Sequence, residues 1–153
     1  MFAAAFGKLQ ATALVCSAAC GADLVGLEAA EQLDLRRRIV LPFPPPRFRE
    51  TSVIDRSEEW GPVFDHQIAA ATAAGDLAVL DLDGKEDQAY AAANEAIIRE
   101  AQALAAQPRQ GGAQRLVAML VWEGAKRQGT DATAGFRELA RKAGFEEHSI
   151  PTL

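Results

Sequence analysis

Short apolar runs alternate with longer helical stretches along the whole chain, and this alternation constrains the fold more than any other feature. The runs TALVC (Thr12–Cys16), RIVLP (Arg38–Pro42), LAVLDL (Leu77–Leu82) and LVAMLVW (Leu116–Trp122) have the length and the β-rich content of buried strands, and Phe145–Ile150 fits a last one. Helices are predicted over Phe2–Gln10, Gly21–Leu33, Glu58–Ala74, Lys85–Ala106 and Asp131–Ala143, with Gly75 and Gly144 as C-terminal stops. On the third, Phe64, Ile68 and Ala71 share a face. On the fourth, Tyr90, Asn94, Ile97, Ala101 and Leu104 form one stripe. On the last, Phe136, Leu139, Ala140 and Ala143 point inward. The proline-rich FPPPRF is expected to be a stiff loop.

Strand-helix alternation predicts an α/β fold with a doubly wound, mainly parallel sheet, helices on both faces and right-handed crossovers, the Rossmann-like arrangement. The chain has 153 residues, 49% of them apolar, and no linker or repeat divides it. A single domain is therefore expected over residues 1–153. A net charge of -5 argues against nucleic-acid or anionic-membrane partners through the general field. Cys16 and Cys20 make no disulfide framework, and with two histidines they lack metal-ligand spacing, so no metal is expected. No basic segment precedes an apolar core at the N-terminus, and no run is long enough to span a membrane, so a cytoplasmic location is expected.

In an open parallel sheet, ligands bind beyond the carboxyl ends of the strands. The run Arg36-Arg37-Arg38 precedes its strand, so it is expected on the opposite edge as a solvated cap of the preceding helix. The loops after the strands carry Ser17 to Asp23, then Arg47, Arg49, Thr51 and Ser52, then Asp81, Asp83 and Lys85, then Gly124, Lys126, Arg127, Gly129 and Thr130. Hydroxyls, glycines and cations on one edge are the content of a phosphate-binding crevice. The first loop is the best candidate: small residues and Gly21 let backbone approach a phosphate at a helix N-terminus. An ordinary tight strand-to-helix turn has the same pattern, and both Gly-x-Gly-x-x-Gly and the P-loop are absent. Asp23 caps that helix or meets a ribose hydroxyl. Cys20 stands where a helix N-terminus lowers a thiol pKa, but neither His66 nor His148 can be placed beside it as a base.

SAACGADLVGLEAA resembles the Ser-Gly-Gly-x-x-Gly-x-Asp-x-x-x-x-Glu stretch of the SLOG superfamily, which includes the LOG lysine-decarboxylase-like, DprA/Smf and molybdenum-cofactor-carrier types. RRIVLPFPPPRFRETSV is similar to a segment of SLOG-like domains attached to bacterial signalling proteins, and AYAAANEAII, LVWEG and GTDAT are similar to later family segments. The resemblance covers nearly the whole chain through the order of these motifs. It implies a domain that binds or senses a nucleotide or nucleotide-derived ligand, with no certain cofactor. It carries Ser17, Gly21, Asp23, Glu28, Tyr90, Asn94, Gly124 and Thr130 over as site positions. Ala18-Ala19 replace the family's glycine pair, and Gly129-Thr130-Asp131-Ala132-Thr133 keeps only a Gly-Thr core without the hydrolases' glutamate. The family's first central strand is missing ahead of the first helix, which implies a homo-oligomer or a longer signalling protein.

Other readings stand beside this one. A phosphoribohydrolase acting on nucleoside monophosphates would use Glu28 and Asp23 near Arg47 and Arg49. Leu80-Asp81-Leu82-Asp83-Gly84-Lys85 resembles the nucleophile strand of haloacid-dehalogenase phosphatases, but Lys85 stands where that family has Thr or Val. A non-catalytic interaction module is the bland alternative.

Overall fold

The computed structural model describes residues 2–82, 85–107, 114–122 and 132–151. Its elements are α1 (Phe2–Leu9), β1 (Ala13–Cys16), α2 (Ala22–Gln32), β2 (Arg36–Leu41), α3 (Pro45–Ser52), α4 (Trp60–Ala74), β3 (Leu77–Val79), α5 (Glu86–Ala105), β4 (Val117–Trp122), α6 (Ala132–Lys142) and β5 (Glu146–Pro151). The predicted strand-helix alternation is borne out as a mixed α/β chain whose described strand pairs are all parallel. The chain forms two compact units, Met1–Asp83 and Gly84–Leu153.

In the first unit the strand order is β1-β2-β3. Ala13 pairs with Arg36 and Ile39 with Leu77, so β2 is central. Its last three residues, Ile39, Val40 and Leu41, are fully buried. The Arg37 side chain bonds both Glu31 of α2 and Gln67 of α4, which places those two helices on one face of β2. Glycine ends α4: Gly75 takes φ 73, and the Asp76 N–H returns to the Ala71 carbonyl at 2.8 Å. Phe2 of α1 packs over Gly26 of α2, where a methyl group would lie 3.6 Å from its ring. Leu24, Leu27, Phe43, Phe48, Val53 and Phe64 fill the core, with the Phe48 and Phe64 rings stacked 5.9 Å apart between α3 and α4.

In the second unit, β4 pairs with β5 from Val117↔Glu146 to Trp122↔Pro151, and α6 crosses between them. Ile98, Ala118 and Ala140 form its core, joined by Phe136, Leu139, Ala143 and Phe145, so the inward face expected for α6 is the one observed. Gly144 at φ 81 stops α6 as Gly75 stops α4.

Three local expectations are corrected. Prolines 45 and 46 do not lie in a loop; they begin α3, because the first helical turn needs neither their N–H groups nor a φ other than theirs. Arg36, Arg37 and Arg38 are not a helix cap; they are the first half of β2. The buried residues of α5 are Ala89, Ala93, Ala96, Ile97 and Ile98; of the expected stripe Ile97 is buried, while Tyr90 and Asn94 are half-buried beside it.

Candidate ligand-binding edge

Two loops meet at the carboxyl edge of the first sheet. The loop after β1 runs Ser17-Ala18-Ala19-Cys20-Gly21, and the Cys20 N–H donates to the Ser52 carbonyl at the end of α3 at 2.9 Å. The loop after β2 carries Pro42, Phe43 and Pro44 into α3. Beyond β3, the Leu80 and Leu82 N–H groups donate to the Leu41 and Pro42 carbonyls, each at 2.9 Å. Parallel strands with short crossovers produce this convergence, since every strand delivers its chain to the same edge.

Gly21 caps α2 at φ 94 and ψ −126, a conformation open in practice only to glycine. No side chain caps the helix, and no atom lies within 4 Å of where a Gly21 Cβ would stand. The first turn of α2 therefore starts beside open space with its N–H groups uncapped by side chains, an arrangement that favours an anion. Ala18 is fully buried, so its methyl faces the core rather than this space.

Asp23 lies in the first turn of α2, and its Oδ2 accepts the Ala19 N–H at 3.2 Å. Burial pushes its carboxyl up to about 6, against which the Ala19 bond acts weakly. Burial also pushes up the Cys16 thiol, with Asp23 adding to the rise. The Cys20 thiol is raised too, first by burial and then by Asp55, against the pull of Arg56. Cys20 is thus corrected from a helix-activated thiol to one held protonated: withdrawal from water and nearby carboxylates outweigh the helix dipole.

The edge brings together Ser17, Gly21, Asp23 and the α3 residues that follow Phe43. Arg47 is exposed, its guanidinium 3.8 Å from the centre of the Phe43 ring. Thr51 bonds the Arg47 carbonyl at 3.1 Å and lies 3.3 Å from the Ser52 hydroxyl. Arg49 is committed elsewhere: it grips Asp65 of α4 through two bonds of 2.9 and 3.1 Å and lies across Gly61. Glu28 is exposed halfway along α2, about 140° around the helix from Asp23, so these two carboxylates do not share a face. Tyr90 and Asn94 belong to the second unit. Gly124, Gly129 and Thr130 lie outside the described residues, as does Asp83, while Asp81 is exposed with φ 50. Arg56 escaped the sequence reading. It follows α3 without a motif of its own, and only the turn that brings it near Cys20 makes it part of the edge.

At the opposite edge the charges are paired. Arg36 and Arg38 both clasp Asp76, which is 5% exposed, and Arg37 joins Glu31 and Gln67 on the other face. His66 Nε2 meets Glu31 at 2.7 Å, so this exposed histidine of α4 is engaged at the amino edge, while Cys16 ends β1 and Cys20 lies in the loop after it. Among the described residues, no helix is long and apolar enough to cross a membrane. Compared with protein-family models, curated proteins and solved structures, the chain matches none of them.

Proposed function

We propose that the chain is a doubly wound, Rossmann-like domain of the SLOG kind. It binds or senses a nucleotide or nucleotide-derived phosphorylated ligand at the carboxyl edge of the β1-β2-β3 sheet. The observation that carries this reading is the open, uncapped N-terminus of α2 behind Gly21, tied to α3 through Cys20 and Ser52. Phosphate oxygens take the free N–H groups of α2, and Arg47 supplies the charge. Arg47 and Arg56 form no ion pair among the described residues, so neither must abandon a carboxylate to meet a ligand. Ser17 lies in the loop after β1 that the Cys20–Ser52 bond ties to α3.

A second reading, phosphoribohydrolase action on a nucleoside monophosphate, draws support from Asp23, since a carboxyl near 6 suits a general acid. The exposed position of Glu28 favours binding without turnover. We place the domain in the cytoplasm, as a homo-oligomer or within a larger signalling protein, with neither nucleic acid nor membrane as its target. A thermal-shift screen of nucleoside monophosphates and sugar phosphates tests the reading, because a ligand at a hundredfold excess over its Kd adds about 2.7 kcal/mol to the folded state. A shift that shrinks in Arg47→Ala and with added salt is the expected result. The absence of any shift across the screen overturns it. Base release that disappears in Glu28→Gln establishes the enzymatic alternative.

A further inference from the structure

Trp60 opens α4, and its bearing on the helix places it at the carboxyl edge. At about 100° per residue it stands within about 40° of Phe64 and about 20° of Gln67 and Ala71, three of the buried residues of α4. It therefore belongs to the inward stripe, yet it is only half-buried where those three are buried. Its height on the helix is the reason. Phe64 already packs against Phe48 of α3, beyond the end of β2, and Trp60 stands about one helical turn further toward the carboxyl edge. An inward position at that height faces the space beyond the strand ends rather than the sheet. Among the described residues the Trp60 ring meets neither another ring nor a cation, and its indole N–H has no hydrogen-bond partner. That nitrogen is not buried, so the N–H stays in contact with water.

The turn before α4 ties this ring to the loop after β1. The Trp60 N–H donates to the Ser57 carbonyl at 3.4 Å and the Gly61 N–H to the Glu58 carbonyl at 3.0 Å, so Trp60 stays within about one turn of Arg56. Arg56 is exposed and close enough to Cys20 to act on its thiol, and Gly21 follows Cys20. The helices α2 and α4 are neighbours on one face of β2, joined by Glu31 and His66, and packed helices lie about 8–10 Å apart. An exposed cation, an uncapped helix end and an aromatic ring without a ring partner thus gather at one edge.

Resting on the reading of this edge as a nucleotide site, we infer that the base of the nucleotide stacks on Trp60, and that the site selects a nucleoside phosphate over a sugar phosphate for that reason. The indole is a rigid two-ring surface with few rotatable bonds, so little freedom is lost when a base lies on it. With the phosphate at the start of α2, sugar and base extend across the helix spacing to the start of α4. A sugar phosphate keeps the anion and lacks the base, so it forfeits stacking that is worth about tenfold to a hundredfold in affinity.

Calorimetric titration of the whole chain with adenosine monophosphate, and separately with ribose phosphate, tests this in the wild type, Trp60→Leu and Trp60→Phe. Trp60→Leu keeps apolar bulk and removes the ring; Trp60→Phe keeps a ring. The wild type is expected to bind adenosine monophosphate about tenfold to a hundredfold better than ribose phosphate, a comparison that needs no variant. In Trp60→Leu most of that ratio should disappear through weaker adenosine monophosphate binding alone, and Trp60→Phe should restore most of it. Equal binding of the two in the wild type overturns the inference and leaves the phosphate site standing, as does a ratio that survives in folded Trp60→Leu. Affinities for both that fall in step in Trp60→Leu assign the residue a structural role and overturn the inference as well. A wild type that binds neither overturns the nucleotide reading of the edge and the stacking with it.

Discussion

Asp76 and Asp23 sit at opposite ends of the same small sheet, both withdrawn from water, and they are held in opposite states. Asp76 is clasped by two guanidiniums; the Arg36 bonds, and after them those of Arg38, hold its carboxyl below the usual range despite burial. Asp23 has the Ala19 N–H in place of a cation, and burial lifts it to about 6. The amino edge spends its charge on holding strand to strand and helix to helix. The carboxyl edge leaves a helix end uncapped, a cation stacked on a ring and an acid short of compensation. An edge whose groups are mutually satisfied reads as fold, and one whose groups are left over reads as site.

The largest expected effect breaks the satisfied side. Asp76→Ala removes the buried carboxylate that Arg36 and Arg38 both clasp and should cost about 3–5 kcal/mol in a urea titration. A loss below about 1 kcal/mol would mean that the cluster behaves as a surface pair. Because the Asp76 carboxyl is depressed, its stabilisation is present above its unfolded value and is lost as pH falls through the folded one. The penalty of Asp76→Ala should therefore shrink in acid.

Asp23 should show the opposite slope. A carboxyl raised to about 6 contributes stability below its unfolded value of 3.8, and that contribution is lost as pH rises through about 6. Asp23→Asn keeps an acceptor for the Ala19 N–H and removes the charge. It should stabilise the protein by about 2–3 kcal/mol near pH ~8 and change it little near pH ~4. Equal effects at the two pH values would show that Asp23 titrates normally, and the contrast with Asp76 would be lost.

Gly21→Val should cost about 1–3 kcal/mol through backbone strain alone, since nothing crowds the added carbon. Its larger consequence is on binding: the side chain enters the space over the α2 N–H groups, and nucleotide affinity should vanish in a protein that still melts cooperatively. Unchanged affinity in the folded variant moves the phosphate elsewhere, with Gly129 and Thr130 as the next place. The smallest effects separate two neighbouring cations. Arg47→Ala should weaken binding in a salt-dependent way with little change in melting. Arg49→Ala breaks an exposed pair with Asp65 and should leave ligand affinity unchanged.

Much of the fold was legible because apolar runs and glycine stops are local signals. Each of the five strands lies where a β-rich run predicts one, and Gly75 and Gly144 terminate helices as their sequence positions suggest. The failures were of two kinds. Proline-rich sequence looks the same whether it begins a helix or forms a loop, and the answer at Pro45 depends on Phe48 finding Phe64. Charges were misjudged wherever the partner is distant: nothing near Arg36 announces Asp76, forty positions away, and nothing near Arg49 announces Asp65. The loop from Ser17 to Asp23 was visible as a strand-to-helix turn with a glycine. The elevated Asp23 carboxyl and the nearness of Arg56 arise only when α2 and the turn after α3 pack around that loop.

Amide NMR of the whole chain during titration with a nucleoside monophosphate addresses the central claim most directly. The account predicts saturable shifts at Ser17 to Leu24 and along α3, with Arg36–Arg38 and Gln67–Asp76 unmoved. Shifts confined to those amino-edge residues, or none at all at saturating ligand, would contradict it.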